Sequence, residues 1–291
     1  MRLIVFAAAL LAALPAAAQP PQEVQSDEDI VVVGSPKWEK RIGDFVGAVS
    51  GPNGATDPIS RLDGPPACPE ATGLSVERNA AITKRMRRIA SAAGIKVGAP
   101  GCAPNVLLIA AKDKKAMVEA LKHDYPIYFV DGRGEAVDPP VQPGPVTAWH
   151  VERVIDRRGV IVPYNSEARY YELESSIAGS HTHAAVRKVF IGAVIVVELD
   201  ALVGLSVNQI ADYASMRAYA DVEPAKLQRL SAPTILSVIA APDGTVVPDS
   251  VTDWDLTYLR ALYAGGPFVP ASTARSTIHK RMIDVLKKGK Q

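Results

Sequence analysis

The N-terminal segment constrains the chain most, because it decides the compartment in which the remaining residues must fold. Met1-Arg2 gives a short positive start, Leu3–Leu14 is an uninterrupted apolar run, and Pro15 ends that run. Ala16–Ala18 then supplies the small residues of a cleavage site. This order is typical of a secretory signal peptide, and it predicts that residues 1–18 are removed.

A membrane anchor is the alternative interpretation of the same segment. The apolar stretch 3–18 is shorter than the ~20 residues that a helix needs to span hydrocarbon. The first cysteine is Cys68, so no lipid-bearing cysteine stands near the cleavage site. We therefore expect a periplasmic or secreted protein that makes no stable membrane insertion once the signal peptide is cleaved.

Export also decides the chemistry of the two cysteines, Cys68 and Cys102. In an oxidising compartment an isolated pair usually forms a disulfide. A loop of this size contributes about 3–4 kcal/mol of stability in the chain-entropy model. A redox or metal-binding pair is the alternative, but the chain holds no C-x-x-C spacing. The prediction is a structural disulfide.

Composition and missing motifs exclude several function classes. Hydrophobic residues make up 48% of the chain and charged residues 22%, which is ordinary for a globular protein. The 32 basic and 31 acidic side chains give no overall basic field, which argues against a nucleic-acid partner. The common zinc-peptidase, serine-hydrolase, P-loop and dinucleotide motifs are missing from the sequence. These observations predict no cofactor and favour a protein that is not an enzyme.

Hydrophobic periodicity predicts one compact α+β domain over residues 40–291, with a mixed sheet, helices packed on it and one disulfide. Residues 19–39 are expected to form a flexible leader with a candidate N-terminal strand, and the proline-rich loop 131–145 is a candidate boundary inside the domain. The apolar run Val189–Val197 predicts a buried strand. Strands are predicted at 59–62, 106–110, 146–154, 160–162, 169–173 and 189–197, and helices at 75–93, 114–122, 206–218, 252–264 and 273–288.

The predicted helix 75–93 has an apolar face and a basic remainder. Ile82, Met86, Ile89 and Ala93 recur at helical spacing and are expected to be buried. A solvated helix face is the favoured interpretation of the remainder, and a patch for phosphate or lipid headgroups is the alternative. The basic residues concerned are Arg78, Lys84, Arg85, Arg87 and Arg88.

Two histidines form the only candidate metal pair. His181 and His183 alternate on an extended segment, so their rings would point to the same side. A third ligand is needed, and Glu198 or Asp200 are the candidates. A polar loop between strands is the favoured interpretation, so no metal is predicted.

Candidate catalytic residues lie near the starts of two helices. Asp212 and Tyr213 follow the buried strand on a helix that Ser206 caps, and Asp253 and Asp255 stand in the first turn of the next capped helix. Paired carboxylates can perform acid–base hydrolysis. An acidic residue in a first helical turn also favours the helix dipole, and this structural role is the favoured one.

The segment Asp29–Gly34 resembles the TonB box of outer-membrane receptors, because an acidic residue precedes a β-branched run. Such a segment can add as a strand to the sheet edge of an envelope protein. An N-terminal strand of the protein's own sheet is the favoured interpretation. The likeness covers these residues alone.

Several blocks together resemble an uncharacterised family of exported bacterial proteins over roughly residues 40–265. The resemblance implies an exported single domain and assigns no activity. The blocks are Cys68-Pro69 with Gly73-Leu74, Cys102–Asn105, Ala211–Arg217, Pro233–Leu236, Thr252–Asp255 and Tyr258–Tyr263.

The order of elements is also similar to zincin-like metallopeptidases and their relatives that lack the zinc motif. In that comparison the helix of Asp212 takes the place of the metal helix. The segment Ala211–Ser215 has neither histidine of the motif, and zinc needs histidine or thiolate donors. The resemblance therefore implies a fold whose zinc chemistry is lost.

Three functions follow from these observations. The favoured one is a non-catalytic binding or envelope-accessory protein of the periplasm. The second is a hydrolase of zincin-like descent that uses Asp212 and Tyr213. The third is a TonB-linked accessory protein that presents Asp29–Gly34 as a strand.

Overall fold

The computed structural model describes residues 33–52, 54, 56–139, 142–173, 183–227, 229–242 and 244–288. These residues belong to one compact unit, and the proline-rich loop 131–145 lies inside it. The predicted signal peptide 1–18 and most of the leader 19–39 fall outside the described residues. Of the TonB-box-like segment, only Val33 and Gly34 fall within them.

A four-stranded mixed sheet and the helices packed on it form the fold, which confirms the predicted α+β class. The strands are β1 (Pro69–Thr72), β2 (Val106–Ala111), β3 (Val146–Asp156), β4 (Tyr164–Asn165), β5 (Tyr170–Tyr171) and β6 (Val186–Glu198). The helices are α1 (Pro36–Ala48), α2 (Val76–Ala92), α3 (Lys114–Asp124), α4 (Val207–Tyr219), α5 (Pro224–Leu227), α6 (Asp253–Ala264) and α7 (Ala271–Lys288).

The apolar run predicted as a buried strand lies at the centre of the sheet. The strand order is β1-β2-β6-β3, with β1, β2 and β6 parallel and β3 antiparallel to β6. Strand β6 therefore has a hydrogen-bonded neighbour on each side, and all of Ala193–Val197 is buried. A continuous apolar sequence suits this position because both faces of the strand are covered.

Helices cover both faces of the sheet. On one face Trp149 joins a core cluster with Val194 and Val196, against which the half-buried apolar side chains of α3 pack. His150, the next residue of β3, points to the other face, where its Nε2 lies 3.2 Å from the carbonyl oxygen of Ala218 in α4. Helix α2 packs on α4 and on β1.

The predicted disulfide is present and joins the lead-in of β1 to the lead-in of β2. The Cα atoms of Cys68 and Cys102 are 6.0 Å apart. Asn105 reinforces this junction: its Oδ1 accepts a hydrogen bond from the backbone N–H of Cys68 at 2.7 Å. Its Nδ2 donates to the carbonyl oxygen of Ile191 at 3.1 Å, which ties the same junction to β6.

Helix α1 is an element that the sequence patterns above do not predict. It begins at Pro36, behind Ser35, whose Oγ accepts a hydrogen bond from the backbone N–H of Trp38 at 3.2 Å. Trp38, Ile42 and Phe45 are buried at helical spacing. The chain therefore enters its core a few residues before the predicted domain start at residue 40.

Some predicted elements are shorter than expected. The stretch 59–62 makes only isolated bridges beside its ends, and the return strand 160–162 is reduced to a bridge between Ile155 and Ile161. The strand predicted at 169–173 is the two-residue β5, which pairs with β4. Val285, predicted to be buried in α7, is 46% exposed. Among the described residues, no helix combines the length and the apolarity needed to cross a bilayer.

The close approach of Gly73 to β2 predicts a large effect for Gly73→Ala. A methyl group on Gly73 would lie 1.9 Å from the carbonyl oxygen of Ala110, and its φ is +92°. Gly94 has a similar φ of +81° but open space around it. We expect Gly94→Ala to cost about 1 kcal/mol from backbone strain. Gly73→Ala should cost about 2 kcal/mol more, because β2 must shift.

Urea unfolding of both variants measures this difference. Equal losses in the two variants would show that the backbone conformation alone, and not the contact with Ala110, makes glycine necessary at residue 73.

Candidate functional site

Asp212, one of the two candidate catalytic residues, lies in a buried ion pair between α4 and α2. Its side chain is fully buried. Nε and Nη2 of Arg85 each donate to its carboxylate at 2.7 Å, and the backbone N–H of Val251 donates at 2.6 Å. The hydrogen bond to Asp212 also raises the pKa of the Arg85 guanidinium. These contacts join three segments of the chain and give Asp212 a structural role.

Arg85 therefore does not belong to a solvated helix face, and the sequence interpretation was wrong for this residue. Its side chain is only 21% exposed. Arg87 is also engaged, because its Nη2 donates to the carbonyl oxygen of Gly98. A fully buried carboxylate needs a cation or several donors, and α2 is the helix that packs on α4.

Tyr213, the other candidate catalytic residue, has a different partner. Its hydroxyl oxygen accepts a hydrogen bond from Nη1 of Arg217 at 2.8 Å, one helical turn further along α4. The side chains of Asp212 and Tyr213 are thus directed to separate surroundings. Catalysis by this pair stays a prediction.

The carboxylate of Asp255 is used in capping. The predicted capping box is present, since Thr252 Oγ1 accepts from the N–H of Asp255 and the N–H of Thr252 donates back to the carboxylate. The N–H of Ile235 also donates to that carboxylate at 2.9 Å. Burial raises the pKa of Asp255 and is the largest influence on it. Asp255 therefore holds the start of α6 against the turn at residues 234–237.

The candidate metal ligands are not brought together in the described part of the chain. His181 lies outside the described residues, and His183 is exposed just before β6. Glu198 ends that 13-residue strand, which places it about 40 Å from the strand's start. Glu198 and Asp200 therefore cannot complete a site with His183. Among the described residues, no group of three potential metal ligands is close enough to hold an ion.

Two cavities that sequence reasoning missed meet at Arg217. The first, here named the β3 cavity, has a volume of about 460 Å³ and lies between β3, the loop 128–143 and the segment 217–225. The second, the loop cavity, has a volume of about 530 Å³ and lies between the loop 142–146, α4 and the segment 224–245. Both are in the size range of small-molecule sites.

Arg217 is a buried cation with neutral partners. It is 5% exposed. Nη1 donates to the hydroxyl of Tyr213 at 2.8 Å, and Nη2 donates to Oε1 of Gln142 at 2.7 Å. Within the described part of the chain, no carboxylate lies within salt-bridge distance of its guanidinium. Its guanidinium also lies over the ring of Tyr213, 5.8 Å from the centroid. Among the described residues, the contacts that compensate its charge are therefore neutral ones.

Gln142 is itself fixed in place, so this arrangement is preformed. Its Nε2 donates to the carbonyl oxygen of Ala148 at 2.6 Å, and its Oε1 accepts from the backbone N–H of Ala148 at 3.2 Å. Nζ of Lys114 donates to the Gln142 carbonyl oxygen at 3.0 Å. The loop after residue 141 is thereby attached to the start of β3 and to α3.

His150 forms an uncharged part of the β3 cavity wall. Its ring stacks on Phe190 with centroids 3.7 Å apart and planes at 6°. Burial lowers its pKa to about 3, so the imidazole is neutral at physiological pH. This agrees with the expectation from sequence that His150 is a packed residue on a strand.

Asp221 is the most perturbed carboxylate of the β3 cavity. Burial raises its pKa from 3.8 to about 6, and the charge of Glu152 adds to this effect. Lys188 lowers the pKa, but its Nζ pairs with Oε1 of Glu152 at 3.1 Å. The Asp221 carboxylate lies directly over Gly51, where an added methyl group would come within 1.9 Å of Oδ2.

The Arg85–Asp212 pair predicts a strong stability effect. Arg85→Met leaves the Asp212 carboxylate buried without its cation, and we expect a loss of about 3 kcal/mol in the free energy of unfolding. Lys40→Met breaks an exposed pair with Asp44 and is the matched control, expected to change the free energy little. Urea unfolding measures both variants. Similar small losses would contradict the structural role of Asp212.

Asp221 predicts a pH-dependent stability. Its folded pKa of about 6 exceeds the ordinary value of 3.8. Between these values the folded state holds a proton that the unfolded state has released, so stability falls as pH rises through this window. Asp221→Asn should therefore be more stable than the wild type at pH 7.5, by on the order of 2 kcal/mol, and the gain should disappear below pH 4.

Urea unfolding at several pH values between 4 and 7.5 tests this expectation. Asp44→Asn removes the same charge from an exposed position and controls for net charge. A gain for Asp221→Asn that does not change with pH would contradict the raised pKa.

Comparison of the chain with protein-family models, with curated proteins and with solved structures finds no match in any of the three. The resemblances to exported bacterial proteins and to zincin-like metallopeptidases therefore stay predictions. The function of the chain is inferred from its own residues and geometry.

Proposed function

We propose that the chain is an exported, non-catalytic protein that binds a small organic ligand where the β3 cavity and the loop cavity meet. The signal-peptide pattern of residues 1–18 supports export. The disulfide between Cys68 and Cys102 suits an oxidising compartment such as the periplasm. The two cavities supply the space, and their walls come from a strand and a buried helix.

The position of Arg217 is the observation that carries this proposal. Water solvates an exposed guanidinium, so its charge costs little free energy. A buried guanidinium loses that solvation and needs hydrogen-bond acceptors or negative charges in its place. Here it lies at the junction of two cavities and receives only two neutral acceptors. Hydrogen bonds from Gln142 to β3 hold this arrangement without a ligand, so little ordering is needed on binding.

A hydrolase is the second candidate, and one observation favours it. Asp221 has a pKa of about 6 and stands with Glu152 in the wall of the β3 cavity. A carboxyl group that keeps its proton near neutral pH can act as a general acid beside an ionised carboxylate. This version of the hydrolase hypothesis moves the chemistry from Asp212 to Asp221. The TonB-linked function rests on Asp29–Gly34 and stays a prediction.

Filling the loop cavity should abolish ligand binding. Ala232 lines that cavity, and Ala232→Trp places an indole in it. Ala80→Trp adds the same ring to the exposed surface of α2 and is the control. In a fragment screen by ligand-observed NMR, fragments that bind the wild type and Ala80→Trp should not bind Ala232→Trp. The binding function would be overturned if no fragment binds the wild type, or if the fragments bind Ala232→Trp as well as they bind the wild type.

Cell fractionation and an intact-mass measurement test the export. Full-length protein expressed with its own N-terminus should be recovered from the periplasmic fraction with an intact mass that begins at Gln19 and includes the disulfide. A chain found in the cytoplasm with Met1 in place and two free thiols would contradict it.

A further inference from the structure

We infer that the ligand is an amphipathic monocarboxylate, with its carboxylate on Arg217 and its apolar body in the loop cavity. This inference rests on the proposed binding function and assigns the chemical class of its ligand. It follows from the charge of Arg217, from the lining of the loop cavity and from the charges of the β3 cavity.

Arg217 has hydrogen-bond donors that its two hydrogen-bond partners leave unused. A guanidinium has five N–H donors in a planar fork that matches a carboxylate. The hydrogen bonds to Tyr213 and Gln142 use one donor on each of Nη1 and Nη2. No other acceptor among the described residues bonds to this side chain. One carboxylate would accept hydrogen bonds from the remaining donors and would pair directly with the positive charge of the guanidinium.

The lining of the loop cavity indicates what kind of body the ligand has. Arg217 is the only charged residue among the described residues that line the loop cavity. Its walls are mostly aliphatic and include Val146, Leu227, Leu230, Leu236 and Ile239. Apolar walls around one buried cation fit a molecule with an apolar body and a single anionic end.

The charges around Arg217 do not fit a doubly charged anion such as a phosphate. No second cation lines the loop cavity within the described part of the chain. Arg217 also lines the β3 cavity, whose carboxylates Asp131, Glu152, Asp221 and Glu223 offer no cation to an anion. The single positive charge of Arg217 matches one carboxylate and would leave half of the charge of a dianion without a partner.

Three probes with the same alkyl chain test the inference: octanoate, octylammonium and 1-octanol. At pH 7.5 we expect the wild type to bind octanoate about tenfold or more tightly than 1-octanol, and octylammonium more weakly than either. Arg217→Met should lose this preference and bind octanoate and 1-octanol with similar affinity. Arg217→Lys should keep part of it, because the charge remains but the fork is lost.

Lys226→Met is the matched control, since it removes one positive charge close by on α5 without changing the lining of the loop cavity. It should keep the preference for octanoate. Isothermal titration measures the affinities, and urea unfolding checks that each variant is folded.

The outcomes separate this inference from the proposed function. If octylammonium or 1-octanol binds as tightly as octanoate and Ala232→Trp abolishes that binding, the carboxylate class is wrong and the binding function stands. If octyl phosphate binds more tightly than octanoate, the restriction to a monoanion is wrong. A preference for octanoate that survives in Arg217→Met also overturns the inference. If neither these probes nor any fragment binds, the binding function itself fails.

Discussion

The burial of helix α4 is the constraint on which the rest of the structure depends. Every residue from Gln209 to Tyr219 is buried, although the segment contains an aspartate and an arginine. A polar group in such a helix must find its partners inside the protein, because water does not reach it. The neighbours of α4 are therefore arranged around its polar side chains as well as around its apolar ones.

The two charged residues of α4 are compensated in different ways. Asp212 receives two hydrogen bonds from Arg85 and one from the backbone of Val251, which ties α4 to α2 and to the segment before α6. Arg217, just over one turn later, has neutral partners among the described residues: the oxygens of Tyr213 and Gln142 and the ring of Tyr213. The first arrangement is complete and serves stability. The second leaves a positive charge at the junction of two cavities, which is why function is assigned there.

Much of the fold could be predicted from sequence, because its signals are local. The run Val189–Val197 has the composition of a central strand, and both capping boxes mark the helix starts where the structure has them. The disulfide was predicted from an isolated pair of cysteines behind a signal-peptide pattern, and the structure contains it. Errors concentrated where pairing is tertiary: β5 pairs with β4 over two residues, and the return strand at 160–162 meets β3 at a single bridge.

The site could not be predicted, because its residues come from distant parts of the chain. Asp221 owes its raised pKa to burial and to the negative charges of Glu152 and Glu223, which together outweigh the opposite effect of Lys188 and Arg275. Gly51 gives its carboxylate room. The residues next to Asp221 in the sequence give no indication of this raised pKa. Asp212 attracted attention as a carboxylate after a buried strand, but its partner Arg85 is 127 residues away. The sequence therefore pointed to the helix that also carries the proposed site, but to a side chain that the fold uses for its own stability.

The incomplete compensation of Arg217 couples binding to stability. A buried cation with neutral partners lowers the stability of the empty protein, because its desolvation is only partly offset. A ligand that supplies the missing charge stabilises the folded state alone, since the unfolded chain exposes Arg217 to water. The site keeps its geometry without a ligand, because two hydrogen bonds hold the Gln142 side chain at the start of β3. A hydrophobic residue in place of Arg217 would satisfy the packing of α4 with a smaller desolvation penalty, so the proposed anionic ligand would account for an arginine at this buried position.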